Sequence, residues 1–137
     1  MIAFSYRRED SQAAVGRLAD KLTAEFGREA VFLDQDSIPL GVDFRSHVRE
    51  VWARSRVVLV VIGERWSGSR PDGRRRLDES ADHVRVEVEQ AMTASARVIP
   101  ILLDQTAMPK VEELPESLSD LPFLNALRLD TGRDFHH

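Results

Sequence analysis

Along the 137 residues, continuous apolar runs alternate with stretches in which apolar positions recur every third or fourth residue. Four short runs stand out: "IAFS" at 2–5, "AVFLD" at 30–34, "RVVLVVIG" at 56–63 and "RVIPILLD" at 97–104. A fifth, "FLNALRLD", closes the series. The middle runs are uninterrupted and β-branched, as expected of strands covered on both faces. Between them, Val15, Leu18, Leu22 and Phe26 share one helical stripe, with Asp10 or Ser11 placed to cap its start and Gly27 to stop it. Asp43 predicts the cap of a second helix that turns Phe44, Val48, Val51 and Ser55 inward.

The segment "HVRVEVEQAM" at 83–92 fits two patterns. Its first half alternates valine with polar residues, as a half-buried strand does. Over a wider window Ala81, Val84, Val88, Ala91 and Met92 gather on one stripe at about 100° per residue, with Glu87 on its flank. Connectivity decides for the helix. A strand here would leave "RVVLVVIG" and "RVIPILL" without a crossover, whereas strands alternating with helices form a parallel sheet covered on both sides. Glu87 then sits at the boundary between core and solvent, and Glu89, roughly 200° round the helix, faces solvent.

Two segments lack periodicity. "GERWSGSRPDGRRRLDES" at 63–80 is a long Gly/Ser/Arg loop after the third strand, where open α/β sheets bind ligands; a solvated charged loop is the plainer reading of its five arginines. "DQTAMPKVEELPESLSDLP" at 104–122 holds three prolines and one expected short helix at 116–121. With 31% charged and 42% hydrophobic residues, the chain reads as one globular domain of a size that buries about two thirds of its unfolded surface. A net charge of -4 argues against direct nucleic-acid binding. No run approaches the roughly 18–20 apolar residues of a membrane helix, so the expected location is cytoplasmic, away from the membrane.

Several chemistries are excluded by missing residues. There is no cysteine, hence no thiolate nucleophile, thiolate metal site or disulfide. The seven glycines form neither G-x-G-x-x-G nor a P-loop, and no G-x-S-x-G elbow is present. His47, His83, His136 and His137 are too scattered for a zinc pattern, so no metal and no resident cofactor are expected. A phosphoacceptor receiver domain would carry an aspartate after the third strand and a lysine after the fifth. Here the third strand ends at Gly63, and neither Lys21 nor Lys110 lies near the last strand.

Three stretches then line up: "FSYRRED" at 4–10 after the first strand, "FLDQDSIPLGVDF" at 32–44 running from the second strand into a Pro/Gly loop, and "DHVRVEVEQAM" leading into "VIPILL". In this order and spacing the chain resembles the bacterial TIR (Toll/interleukin-1 receptor) domain family over essentially its whole length. The resemblance implies a flavodoxin-like α/β fold, a five-stranded parallel sheet of order 2-1-3-4-5 with helices on both faces. Many bacterial and plant members, and one animal neuronal member, cleave the nicotinamide–ribose bond of NAD+, which makes NAD+ the implied substrate. Others are non-enzymatic assembly modules, and that adaptor or decoy role is the alternative here.

The same resemblance implies Glu87 as the catalytic residue, the position of the family's essential glutamate on the helix before the fourth strand. Around it the implied substrate-binding residues are Phe4, Ser5, Tyr6, Arg7, Arg8, Asp34, Arg45, Trp66 and His83. The arginines at 7 and 8 suit the phosphates of a dinucleotide. Phe4 and Tyr6 equally suit the core, Asp34 a loop cap, and Trp66 a roof over the sheet. Enzymatic relatives often place Trp or Phe four positions before the glutamate; this chain has His83, which stacks less broadly or pairs with Glu87 or Glu79. One carboxylate suffices in principle, because the nicotinamide of NAD+ is cationic and departs neutral, so no acid is needed to protonate it, unlike the carboxylate pair of sugar hydrolases.

The segment Ser37, Ile38, Pro39, Leu40 and Gly41 resembles the family's BB loop, which docks onto other TIR domains head to tail; an ordinary ordered turn is the plainer reading. The resemblance also implies that the 137 residues form a single TIR domain short of its last helix, whose first turn is expected at Asp134. A sensor domain would follow in a longer bacterial antiphage effector.

Overall fold

A computed structural model of the chain describes residues 1–33 and 38–135. Its sheet contains β1 (Ile2–Ser5), β2 (Val31–Phe32), β3 (Val57–Ile62), β4 (Arg97–Leu103) and β5 (Leu127–Leu129). They are ordered β2-β1-β3-β4-β5, and every pair is parallel. The helices are α1 (Arg8–Phe26), α2 (Phe44–Ala53) and α3 (His83–Thr93). A parallel sheet covered on both faces is what the alternating pattern predicts, and the order 2-1-3-4-5 is what the family resemblance implies; both edge strands are shorter than expected. The second run forms two strand residues, and in the fifth only Leu127–Leu129 pairs.

Side-chain alternation along the strands divides the core into two layers. Ala3, Val58, Val60, Ile62 and Leu102 meet Val48, Val51 and Trp52 of α2 and Val84, Val88 and Ala91 of α3. Phe4, Leu59, Val61, Ile101 and Leu103 face the opposite way, onto Val15 and Ala19 of α1. A strand covered on both sides needs no polar face, which explains the unbroken run "VVLVVI" in β3. The Trp52 indole donates to the Glu87 carbonyl at 2.9 Å and ties α2 to α3.

Local details correct several expectations. α1 begins at Arg8, with Arg7 as its cap residue, rather than at Asp10 or Ser11; the backbone kinks at Ser11 (φ -144°, ψ 16°). Asp10 is occupied elsewhere, because its carboxylate accepts from Gly63 N at 2.8 Å and Arg65 N at 2.7 Å. Gly63 is required there, since a Cβ would lie 2.5 Å from Asp10 Oδ1. At the far end of α1 the neighbouring edge strand is only two residues long, and Phe26 is left exposed. Asp43 does cap α2, accepting from Arg45 N at 2.8 Å.

The proline-rich segment forms three single 3₁₀ turns, Val111–Glu113, Glu116–Leu118 and Leu121–Phe123, instead of one helix at 116–121; Pro115 and Pro122 remove the donors a longer helix would use. Near the end of the chain the Asp130 carboxylate accepts from Gly132 N and Arg133 N, and the Asp134 carboxylate accepts from Asp130 N at 2.7 Å. No helix among the described residues is long and apolar enough to cross a membrane.

Candidate functional site

In the order β2-β1-β3-β4-β5 the connections from β1 and β3 leave toward opposite edges, so a crevice opens beyond their carboxyl ends. A cleft of about 610 Å³ lies there. Its walls come from the β1–α1 junction (Tyr6, Arg7, Arg8, Glu9, Gln12), Leu33 after β2, Phe44 at the start of α2, the loop after β3 (Arg70, Arg76, Glu79) and the first turns of α3. Among the described residues, no group of three or more His, Asp or Glu side chains is placed to hold a metal ion.

Glu87 belongs to this cleft yet is only 3% exposed. The sequence places it at the core boundary. The structure buries it, because α3 packs against α2, β1 and the 116–118 turn and so also hides Val86. Its only side-chain hydrogen bond among the described residues comes from Ser5 Oγ to Oε1, at 2.7 Å. Burial is the main cause that pushes the Glu87 carboxyl up to about 8; the Asp82 charge adds to the rise, and Ser5 and Arg7 oppose it. The free protein therefore holds Glu87 largely protonated at neutral pH, in a form that any bound cation would help to ionise.

Arg7 holds the wall together. Its two terminal nitrogens donate to Asp82 Oδ1 and Oδ2 at 2.9 and 2.8 Å, and Nε donates to the Trp66 carbonyl at 2.6 Å. Both side chains of the ion pair are nearly buried, at 4% and 6% exposure. Asp82 in turn caps α3 by accepting from Arg85 N at 3.1 Å. Its burial favours the neutral acid, but the hydrogen bonds and charge of Arg7, with the Arg85 amide, outweigh this and hold the pKa below the usual carboxylate value. Arg7 thus joins the end of β1 to the first turn of the helix carrying Glu87.

The expected site residues separate into three groups. Glu87, Tyr6, Arg7, Arg8 and His83 line the cleft, and Ser5 stands behind it on Glu87. Arg7, expected on phosphate, is committed to Asp82 and Trp66. His83 pairs with neither glutamate; its ring stacks on Phe44, centroids 3.9 Å apart and planes 14° from parallel. Phe4 and Trp66 lie in the core instead, because alternation on β1 turns Phe4 toward α1 and Trp66 is 2% exposed beside Leu77. Arg45 points to solvent and pairs with Asp43 at 2.9 Å. Asp34 and Ser37 lie outside the described residues.

Glu89 also differs from expectation. It is half-buried, accepting from Arg85 Nε at 2.9 Å and Ser117 Oγ at 2.5 Å, because the 116–118 turn covers a helix face that periodicity assigns to solvent. Asp82 and Phe44 were not anticipated in the cleft. For Asp82 a signal exists, since an aspartate immediately ahead of a helical run is an N-cap signature. Of the proposed assembly loop, Ile38 is half-buried, Pro39 is exposed, Leu40 stands fully in solvent and Gly41 takes φ 81°.

An open parallel sheet with a ligand-sized crevice at its switch point, floored by a buried carboxyl, defines a class of α/β domain. The model of the TIR domain family matches residues 2–136, and the chain belongs to that family. Among solved structures it is similar to the TIR domains in the activated Roq1 resistosome directly recognizing the pathogen effector XopQ. That match has a TM-score of 0.66 and 14% identity and covers 99% of this chain and 90% of that one, a likeness of fold. A comparison with curated proteins finds no match.

Proposed function

We propose that this TIR domain is an NAD+ glycohydrolase, cleaving the nicotinamide–ribose bond to give nicotinamide and ADP-ribose or a cyclic form of it. The observation that carries the reading is Glu87, a buried carboxyl lining the cleft whose one side-chain hydrogen bond among the described residues comes from Ser5. A carboxyl raised by desolvation in a crevice is a functional-site signal with a physical cause.

The reaction suits one carboxylate. The bond between ribose C1′ and the nicotinamide nitrogen breaks, its electron pair neutralises the cationic ring, and positive charge develops on the ribose. Glu87, ionised in the field of the bound cation, stabilises that charge. Water then adds at C1′ and gives up a proton; addition of the substrate's own adenine instead closes a ring. Ser5 holds one carboxylate oxygen and leaves the other for the ribose hydroxyls. The stacked Phe44–His83 pair presents an aromatic edge at the cleft, in the place of the larger ring of enzymatic relatives.

Head-to-tail self-association through the loop at 37–41 would regulate this activity, with Leu40 fully exposed as its anchor. In a longer antiphage effector, a sensor domain would drive that clustering. The assembly-only alternative rests on the same exposed loop. Nicotinamide release measured across a wide range of protein concentrations separates the two, with wild type and Glu87→Gln compared and the domains also clustered on a scaffold. Release that climbs faster than linearly and vanishes in the variant supports the enzyme. No release even from clustered wild type would sink it and leave the adaptor reading.

A further inference from the structure

A second cleft, about 550 Å³, adjoins the first and is built by the loop after β3. Arg7, Glu9, Arg70 and Arg76 line both clefts and form the ridge between them; Gly68, Ser69, Pro71 and Asp72 close the far side. Each cleft is in the size range of small-molecule sites. The loop is organised rather than loose. Ser69 and Arg75 form an antiparallel bridge, Gly68 N–H and C=O bond to Arg65 and Arg76, and Leu77 is buried beneath. Gly68 takes φ 71° where a Cβ would come within 3.0 Å of the Arg7 guanidinium carbon, so the backbone fits closely over the ridge.

The ridge arginines differ in what they can release. Arg7 is buried and bonded through all three of its nitrogens. Arg70 pairs with Glu79, and Arg76 with Glu9, through side chains about half exposed. Such exposed pairs are weak and exchange readily for a phosphate, which accepts shorter and stronger charge-assisted bonds.

We propose that the second cleft holds the nucleoside diphosphate half of a dinucleotide, with Arg70 and Arg76 turning from their carboxylates to the pyrophosphate that crosses the ridge. This deepens the glycohydrolase reading and rests on it for the identity of the other half, which lies over Glu87. It assigns the loop at 63–80 a recognition role, and it moves phosphate binding from Arg7 to Arg70 and Arg76.

The test is a titration of the wild-type chain with ADP, followed by backbone amide NMR, in parallel with Arg70→Gln/Arg76→Gln. ADP has no nicotinamide bond, so binding is read independently of any cleavage. The expected result is saturable shifts at Gly68, Ser69 and Asp72, with affinity about tenfold or more weaker in the double variant, whose spectral dispersion reports that it is folded. Shifts confined to Ala81, Asp82 and His83, equal affinity in the variant, or no binding would each overturn the proposal. A chain that binds ADP in this way but releases no nicotinamide keeps the subsite and loses the glycohydrolase reading.

Discussion

Arg7 and Arg76 each meet a carboxylate at 2.8 Å, and the two pairs do opposite work. Arg7–Asp82 is almost wholly buried, bidentate, and braced by the Trp66 carbonyl. Arg76–Glu9 is monodentate and about half exposed on each side. Burial removes the competing water, so the first pair is indispensable once formed and is a rigid part of the wall. The second is worth no more than about 1 kcal/mol and can open at little cost. Side-chain chemistry is identical in the two places; solvent decides the role.

This contrast sets an order of effects. Removing one partner of the buried pair, as in Arg7→Met, leaves Asp82 charged and alone, and should cost about 3–5 kcal/mol in urea unfolding. Asp82→Asn should lose less, because its amide oxygen still caps α3. Glu87→Gln keeps the shape of the floor, and nicotinamide release should fall by roughly 10²–10³-fold, as for loss of one preorganised group facing transition-state charge.

The same carboxyl makes stability and activity depend on pH. Unfolded, Glu87 titrates near 4.5; folded, near 8. Below 4.5 it is protonated in both states and costs nothing. Between 4.5 and 8 only the unfolded chain gives up the proton, so wild-type stability should fall with rising pH relative to Glu87→Gln, by up to about 1.4 kcal/mol per pH unit, and level off above 8. If the proposed cleavage uses the ionised form, kcat/KM, which reports the free protein, should rise toward a plateau above about pH 8. The kcat profile should lie at lower pH, since bound substrate supplies a cation. Parallel thermal melts and initial rates across pH 5–9 would check both, at roughly half-unit steps. The smallest effect belongs to the exposed pair: Arg76→Gln should change stability by no more than about 1 kcal/mol, and a larger loss would show that the ridge is structural.

Much of the fold was legible from period alone. The unbroken run of β3 announced a strand covered on both faces, and the stripe through Val84, Val88 and Ala91 announced a helix once a crossover was required between β3 and β4. Glu87 could be singled out through the resemblance of three separated stretches, not through any local chemistry. Its burial was not legible, because what hides it comes from β1, α2 and the 116–118 turn. The same holds for Arg7, which reads as a phosphate ligand beside Arg8 until Asp82, 75 positions away, takes its guanidinium.

What the sequence determined by itself is the order of strands and helices, because hydrophobic period is a local property that each segment carries wherever it lies. What only the tertiary structure decided is the charge state and duty of each polar group. A glutamate at a helix flank titrates like any other in water and near 8 under three packed elements, and an arginine is a buried latch or an exposed, exchangeable partner according to whether solvent reaches it. Both depend on distances between residues far apart in the chain, which exist only after the sheet has brought Ser5, Arg7, Asp82 and Glu87 to one edge.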